Sequence, residues 1–246
     1  EHRDVMLPVN VCHDGNYLSY GATRVELPTQ EEVDAFLPPP SVNWHAALDP
    51  SRPMAIDPLT GGAGGPGPSL FVRYRKGQCA GMQNALAAIE AAHEDWARIV
   101  GRRHAPLLES YRMDDAEVAL VTLGSMTGAA KDAVDEARDR GQRVGLVKVK
   151  TYRPFPVQAI AAALNGLKAV GVVDRSVSFG WNSGPLFQDV IGALQFAPQR
   201  PAAMSFIGGL AGADITTDHF GRVIERVQAL ARDGQVGETV WLNEKD

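Results

Sequence analysis

Val118-Ala119-Leu120-Val121-Thr122-Leu123 runs straight into Gly124-Ser125-Met126-Thr127-Gly128, and residues 129–141 continue as AAKDAVDEARDRG. Six apolar or β-branched residues without polar alternation read as a strand buried on both faces. The stretch that follows opens on glycine and hydroxyl residues and then reads as an amphipathic helix over 127–140. A strand passing so directly into a helix is the first half of a βαβ crossover, which implies a parallel sheet.

The same alternation recurs outward from this point. RVGLVKV at 143–149 reads as a strand, 157–164 as a helix, KAVGVV at 168–173 as a strand, 184–194 as a helix, 203–207 as a strand and 217–231 as a helix. The fold class expected is α/β: an open, mostly parallel sheet with helices on both faces. Upstream the pattern changes. Residues 5–12 read as a short strand, and Thr29 with Glu32 forms a capping box for a helix that must stop at Pro38-Pro39-Pro40. Residues 38–76 are rich in proline and glycine and read as a long linker. Its knot, Gly61-Gly62-Ala63-Gly64-Gly65-Pro66-Gly67, lacks the Lys-Ser or Lys-Thr that a phosphate loop carries. Met82, Leu86, Ile89, Ala92 and Trp96 then form one helical stripe, so 77–115 is expected to be a connecting helical region and 116–246 the α/β domain.

At 246 residues the chain has room for one large or two modest domains. A net charge of −5 argues against a nucleic-acid binder, which would carry a basic field; Arg73, Arg75 and Lys76 beside Phe71 and Tyr74 are one small basic patch. Two cysteines, Cys12 and Cys79, outside any C-x-x-C pair, read as buried reduced thiols and cannot ligate a four-thiolate cluster. No apolar run approaches the length of a membrane span, and the charged opening EHRD has no signal-peptide character. The expected setting is cytoplasmic.

In a parallel sheet the chemistry gathers at the carboxyl ends of the strands. The loops there are 124–128, 151–156, 174–180 and 208–214. Gly124, Ser125, Thr127 and Gly128 could hold an anion at a helix N-terminus; alternatively Ser125 or Thr127 simply caps the helix. Asp174 and Arg175 read as an orienting acid or as parts of a local ion pair, and Arg153 at a rigid Pro-Phe-Pro corner points to an acid or a partner. His13 with Asp14 is a polar pair near the same edge or a loop cap, and Asp214 closes the set. Six scattered histidines show no metal-ligand spacing, so no metal site is expected, and no G-x-S-x-G elbow occurs.

Taken together, the stretches 115–131, Tyr152-Arg153-Pro154-Phe155-Pro156, Val173-Asp174-Arg175-Ser176-Val177-Ser178-Phe179-Gly180 with Gly184-Pro185-Leu186, and 206–216 resemble the α subunit of the pyruvate and 2-oxoacid:ferredoxin oxidoreductases. The resemblance extends upstream through 7–15 and 31–39. It implies that 116–246 is a transketolase C-terminal-like domain and that 1–37 is the end of a pyrimidine-binding-type α/β domain. The glutamate that activates thiamine diphosphate is then expected before Glu1, leaving no catalytic residue to assign. The implied chemistry is oxidative decarboxylation of a 2-oxoacid, pyruvate being the commonest choice, to acyl-CoA and CO2 with electrons passing to ferredoxin. Thiamine diphosphate with Mg2+, coenzyme A and iron-sulfur clusters are expected in the assembled complex, none held by this segment alone. The partners implied are a thiamine-diphosphate-binding β subunit, a γ subunit and a ferredoxin-like δ subunit. Two other readings stand beside it: a non-catalytic assembly module, and a nucleotide- or anion-binding α/β protein using the 124–128 turn.

Overall fold

The computed structural model describes residues 4–15, 17–37 and 68–244. The proline run at 38–40 and the glycine knot at 61–67 lie outside them. The chain divides into two compact units, one formed by residues 1–12 and 22–104, the other by 13–21 and 105–246. A single turn, α1 (Tyr17–Tyr20), belongs to the second unit; α2 (Gln30–Phe36) and α3 (Pro68–Val100) belong to the first.

α2 begins as the capping box anticipates. The Thr29 hydroxyl accepts from the Glu32 N–H at 3.2 Å, and the Glu32 carboxylate accepts from the Thr29 N–H at 2.7 Å. Phe36 at its end meets Trp96 of α3 edge-on, with ring centroids 5.2 Å apart. Thr29→Ala leaves the Glu32 N–H without its side-chain acceptor. A loss of about 1 kcal/mol is expected, read as faster amide exchange at Glu32 and a lower melting temperature.

Three expectations about this unit are corrected. α3 starts at Pro68, nine residues before the expected helix at 77, inside the stretch read as linker. Proline lacks only an N–H that a first turn cannot use, and residues 71–80 are exposed, so this part of the helix has no apolar stripe for sequence to reveal. Residues 5–12, read as a short strand, pair with no strand among the described residues; Val5 lies in a turn and Met6 has φ +49°. Both cysteines, expected to be buried, are exposed free thiols.

The second unit is built on a six-stranded sheet: β1 (Leu108–Tyr111), β2 (Val118–Leu123), β3 (Val144–Val149), β4 (Ala169–Asp174), β5 (Ala202–Ile207) and β6 (Val240–Trp241), in the order β1-β3-β2-β4-β5-β6. Only β1 is antiparallel to its neighbour. The sheet therefore begins at 108, upstream of the expected boundary at 116, because the short and partly polar β1 adds to its edge. Between strands run α4 (Thr127–Asp139), α5 (Val157–Leu164), α6 (Pro185–Leu194) and α7 (Thr217–Asp233).

The pleat sends alternate residues to two separate cores. Val118 and Leu120 pack with Ala130 and Val134 of α4 and Phe220, Val223 and Val227 of α7 on one face. Ala119 and Val121 pack with Ile160 and Leu164 of α5 and Leu186 and Val190 of α6 on the other. Gly171 lets α7 approach closely, since a Cβ there would stand 2.5 Å from a Val227 methyl. This is the α/β architecture expected, with both faces covered. In register, Leu123 lies beside Val149 and Asp174 beside Ile207, so the strands end together at one edge.

Candidate functional site

The strand order reverses at β2: the chain leaves β2 for β3 on one side and returns to β4 on the other. Such a reversal opens a crevice at the carboxyl ends of the two strands. At those ends stand Gly124-Ser125 and Arg175, and between them lies Asp14, brought in by the 13–21 segment of the same unit. One Asp14 oxygen accepts from the Ser125 N–H at 3.1 Å and from the Ser125 hydroxyl; the other meets Arg175 Nη1 at 3.0 Å. Arg175 Nη1 also reaches the Ser125 hydroxyl at 3.5 Å. Gly124 turns with φ +77°, a conformation that favours glycine.

The guanidinium lies against the loop after β5. A Cβ at Gly209 would stand 2.9 Å from Arg175 Nε, and Gly209 itself has φ +75°. Asn243 staples this loop, accepting from the Gly209 N–H at 2.7 Å and donating to the Asp214 carbonyl at 2.8 Å. Beside it is a cleft of about 360 Å³ lined by Ile207, Gly208, Leu210, Ala213, Trp241 and Asn243.

The question posed by the 124–128 turn is thus answered inside the molecule: its donors hold a carboxylate, that of Asp14. The capping reading is corrected. Met126 occupies the N-cap of α4 without a side-chain bond, and Thr127 is buried one residue inside the helix. The Thr127 hydroxyl donates to the Gly124 carbonyl at 2.9 Å and lies 2.9 Å from Thr122 Oγ1, tying strand to helix. Gly128 is exposed and donates to the Ser125 carbonyl at 3.1 Å.

Hydrogen bonds from Ser125 hold the Asp14 carboxyl below its ordinary value of 3.8, with the Arg175 charge adding to them against partial desolvation. A depressed carboxylate stabilises above its unfolded pKa and loses that contribution as pH falls through the folded value. Asp14→Ala is expected to release the 13–21 segment while costing the unit less than about 1 kcal/mol, because the pair is partly solvated. Chymotryptic cleavage at Tyr17 and Tyr20 should accelerate while the sheet amides keep their protection.

Asp174 lies apart from this group. The local ion pair expected for Asp174 is corrected: its buried carboxylate accepts from the backbone N–H groups of Leu186 at 2.8 Å and Phe187 at 3.1 Å, capping α6 from β4. Gly184 makes room for it. Burial pushes the Asp174 carboxyl up to about 6, against the lowering effect of the two N–H donors. Arg153 does meet an acid, donating to both Asp189 oxygens of α6 at 3.1 and 2.9 Å, with its guanidinium 4.1 Å from the Tyr152 ring centre. His13 is exposed at the start of the segment. Sequence reading had named Asp14 with His13, Ser125 with the 124–128 turn and Arg175 with Asp174; the fold brings Asp14, Ser125 and Arg175 together.

The same edge carries a feature that reading passed over. Between β4 and α6, Ser178 and Ser183 bridge across a turn whose tip exposes Phe179 (95%) and Trp181 (75%). Two large aromatics flanking Gly180 in a polar loop were the available signal.

With this geometry in view, likeness to known proteins becomes informative. Residues 116–220, which span β2 to the start of α7, match the family described as pyruvate:ferredoxin oxidoreductase core domain II. Over the whole chain the identity is 63% to the α subunit of NADH-dependent phenylglyoxylate dehydrogenase of Aromatoleum evansii, covering 59% of that protein. It is 34% to the pyruvate synthase subunit PorA of Methanosarcina barkeri, again over the whole chain and 59% of the relative. The chain thus spans about three fifths of these relatives' length. Among solved structures, the 2-oxoglutarate:ferredoxin oxidoreductase from Magnetococcus marinus aligns with TM-score 0.46 and 16% identity over 74% of this chain and 28% of that one. No helix among the described residues is long and apolar enough to cross a membrane.

Proposed function

We propose that this core domain II belongs to the α subunit of a 2-oxoacid oxidoreductase that decarboxylates its substrate oxidatively in the presence of partner subunits. The overall change is cleavage of the bond between the 2-oxo carbon and the carboxylate, release of CO2, transfer of the acyl group to the coenzyme A thiol, and passage of two electrons to an acceptor. The observation that carries this reading is the 63% identity, over all 246 residues, to the α subunit of NADH-dependent phenylglyoxylate dehydrogenase. That figure stands well above the 34% to pyruvate synthase, and it moves the proposed substrate from pyruvate to an aromatic 2-oxoacid and the final acceptor from ferredoxin to NAD+.

Thiamine diphosphate with Mg2+, coenzyme A and iron-sulfur clusters are the groups this reaction class requires. Two cysteines cannot supply four thiolates, no group of three His, Cys, Asp or Glu side chains converges among the described residues, and the Ser125 N–H and hydroxyl are taken by Asp14. This chain's share of the work is proposed to be structural. Residues 1–37 close a preceding domain, the sheet unit holds subunits in register, and its carboxyl edge, with Asp14, Arg175, Phe179 and Trp181, faces a neighbouring subunit bordering the active site. A reducing, cytoplasmic setting suits the two exposed free thiols.

The test is purification of the complete complex through a tag on this chain, followed by assay of acyl-CoA formation with phenylglyoxylate or pyruvate and with NAD+ or ferredoxin. Turnover of phenylglyoxylate with NAD+ at least about tenfold above pyruvate, by kcat/KM, is expected. Preference for pyruvate would overturn the substrate assignment, and purification of this chain without partner subunits would overturn the subunit assignment.

A further inference from the structure

His219 stands in the first turn of α7, three residues after Thr216. Its Nδ1 lies 3.1 Å from the Thr216 backbone nitrogen and 2.8 Å from the Thr216 hydroxyl. A backbone N–H can only donate, so Nδ1 is the lone-pair nitrogen of a neutral ring and the ring hydrogen sits on Nε2. Turning the ring over does not restore the bond once the ring is charged, because both nitrogens of the cation carry a hydrogen. The cation would also stand at the positive end of the α7 dipole. At the start of α2 the equivalent bond is made by a carboxylate: Glu32 takes the Thr29 N–H. A carboxylate remains an acceptor at mildly acidic pH, where an imidazole ceases to be one.

Thr216 ends the loop that follows β5. That loop carries Gly209, against which the Arg175 guanidinium lies, and Gly208, Leu210 and Ala213 of the cleft wall. Asn243 ties its middle through Gly209 and Asp214, and His219 ties its end through Thr216. The Asn243 tie is uncharged at any pH. We propose that His219 is a proton-sensitive clasp: its neutral ring holds the 208–216 loop in place, and uptake of a proton frees the end of the loop and loosens the cleft wall. The charged groups at this end of α7 are Asp218 before His219 and Arg222 one turn after it, the latter donating to the Leu242 carbonyl at 2.6 Å. The adjoining segments bring Asp214 and Glu244, and α4 meets α7 through the apolar Ala130, Ala133 and Val134. Ordinary carboxylates change charge at lower pH than an imidazole. Asp174, at about 6, does titrate in the same window, but losing its proton destabilises the fold whereas gaining one unfastens His219, so the two effects run in opposite directions.

The experiment follows the ring and the loop together on this chain. Nitrogen–proton correlation spectra of the imidazole should show the Nε2–H tautomer of His219 at about pH 7.5. Amide hydrogen exchange, corrected for the intrinsic chemical rate, should show protection of Thr216 falling by about fivefold or more between about pH 7.5 and 5.5, as loss of one capping bond implies, with Ala213 falling in step. His219→Gln supplies an acceptor oxygen that does not titrate and should keep both amides protected across the range. His219→Ala should leave the Thr216 amide fast at both ends of it. An Nδ1–H tautomer at the higher pH, Thr216 protection that does not change, or the same fall in His219→Gln would overturn the proposal. A fall at Thr216 with Ala213 unmoved would overturn the link from the clasp to the cleft, and a loss of protection on raising the pH would assign the titration to Asp174 instead.

Discussion

Replacing Gly184 with alanine should cost about 3 kcal/mol or more, the largest effect expected of any single methyl group added at the carboxyl edge. A Cβ at this position would stand 1.9 Å from Asp174 Cγ, 2.1 Å from Oδ2 and 2.2 Å from Cβ. The obstacle is a short side chain on a buried strand end, which has no flexible tip to swing away. Relief requires Asp174 to leave α6, and then the N–H groups of Leu186 and Phe187 lose their acceptor in a nearly dry position. The measurement is the urea midpoint of the isolated chain. Gly192→Ala, at a position of the same helix where a Cβ would meet nothing within 4 Å, is the control and should be neutral or slightly stabilising.

Asp174 also makes stability depend on pH, in the direction opposite to most paired carboxylates. Its pKa is raised from 3.8 to about 6 on folding, so between those values the folded chain holds a proton that the unfolded chain has released. Stability then falls as pH rises through this window, by about 3 kcal/mol in total, and levels off above it. Asp14, with its depressed pKa, acts oppositely and at lower pH. Asp174→Asn keeps an acceptor oxygen for α6 and cannot ionise. The variant should lose the decline between pH 4 and 6, seen as melting temperatures that no longer drop across that range. If the wild-type decline survives in the variant, Asp174 is not its source.

The central elements were legible because their burial is written as pattern. β2 lies at Val118–Leu123, where the continuous apolar run stands, and α4, α6 and α7 match their expected spans to within about two residues. β1 escaped notice because LESY is four residues long and half polar, and its strand character comes from pairing with β3. β6 is shorter still. The opening of α3 escaped for a different reason: residues 71–80 are all exposed, and a helical stretch exposed on every side shows no period.

Asp14, Ser125 and Arg175 were legible as residues of the carboxyl edge, and their meeting was not. Asp14 and Ser125 are 111 positions apart, and no local spacing announces that one will receive the other's N–H. Asp174 and Arg175 were read together as neighbours in sequence. The pleat sends them to different places, one under α6 and the other onto Gly209 and Asp14.

The contact that joins Asp14 to Ser125 and Arg175 also sets an order of events in folding. It closes a loop of more than a hundred residues onto two strand ends and a glycine turn that exist only once β2, β4 and β5 have aligned, so it forms late. Held by polar bonds at a partly solvated rim, it is also among the first contacts to open, and it can do so without disturbing either core. The carboxylate in that crevice is a seal that only a finished sheet can receive.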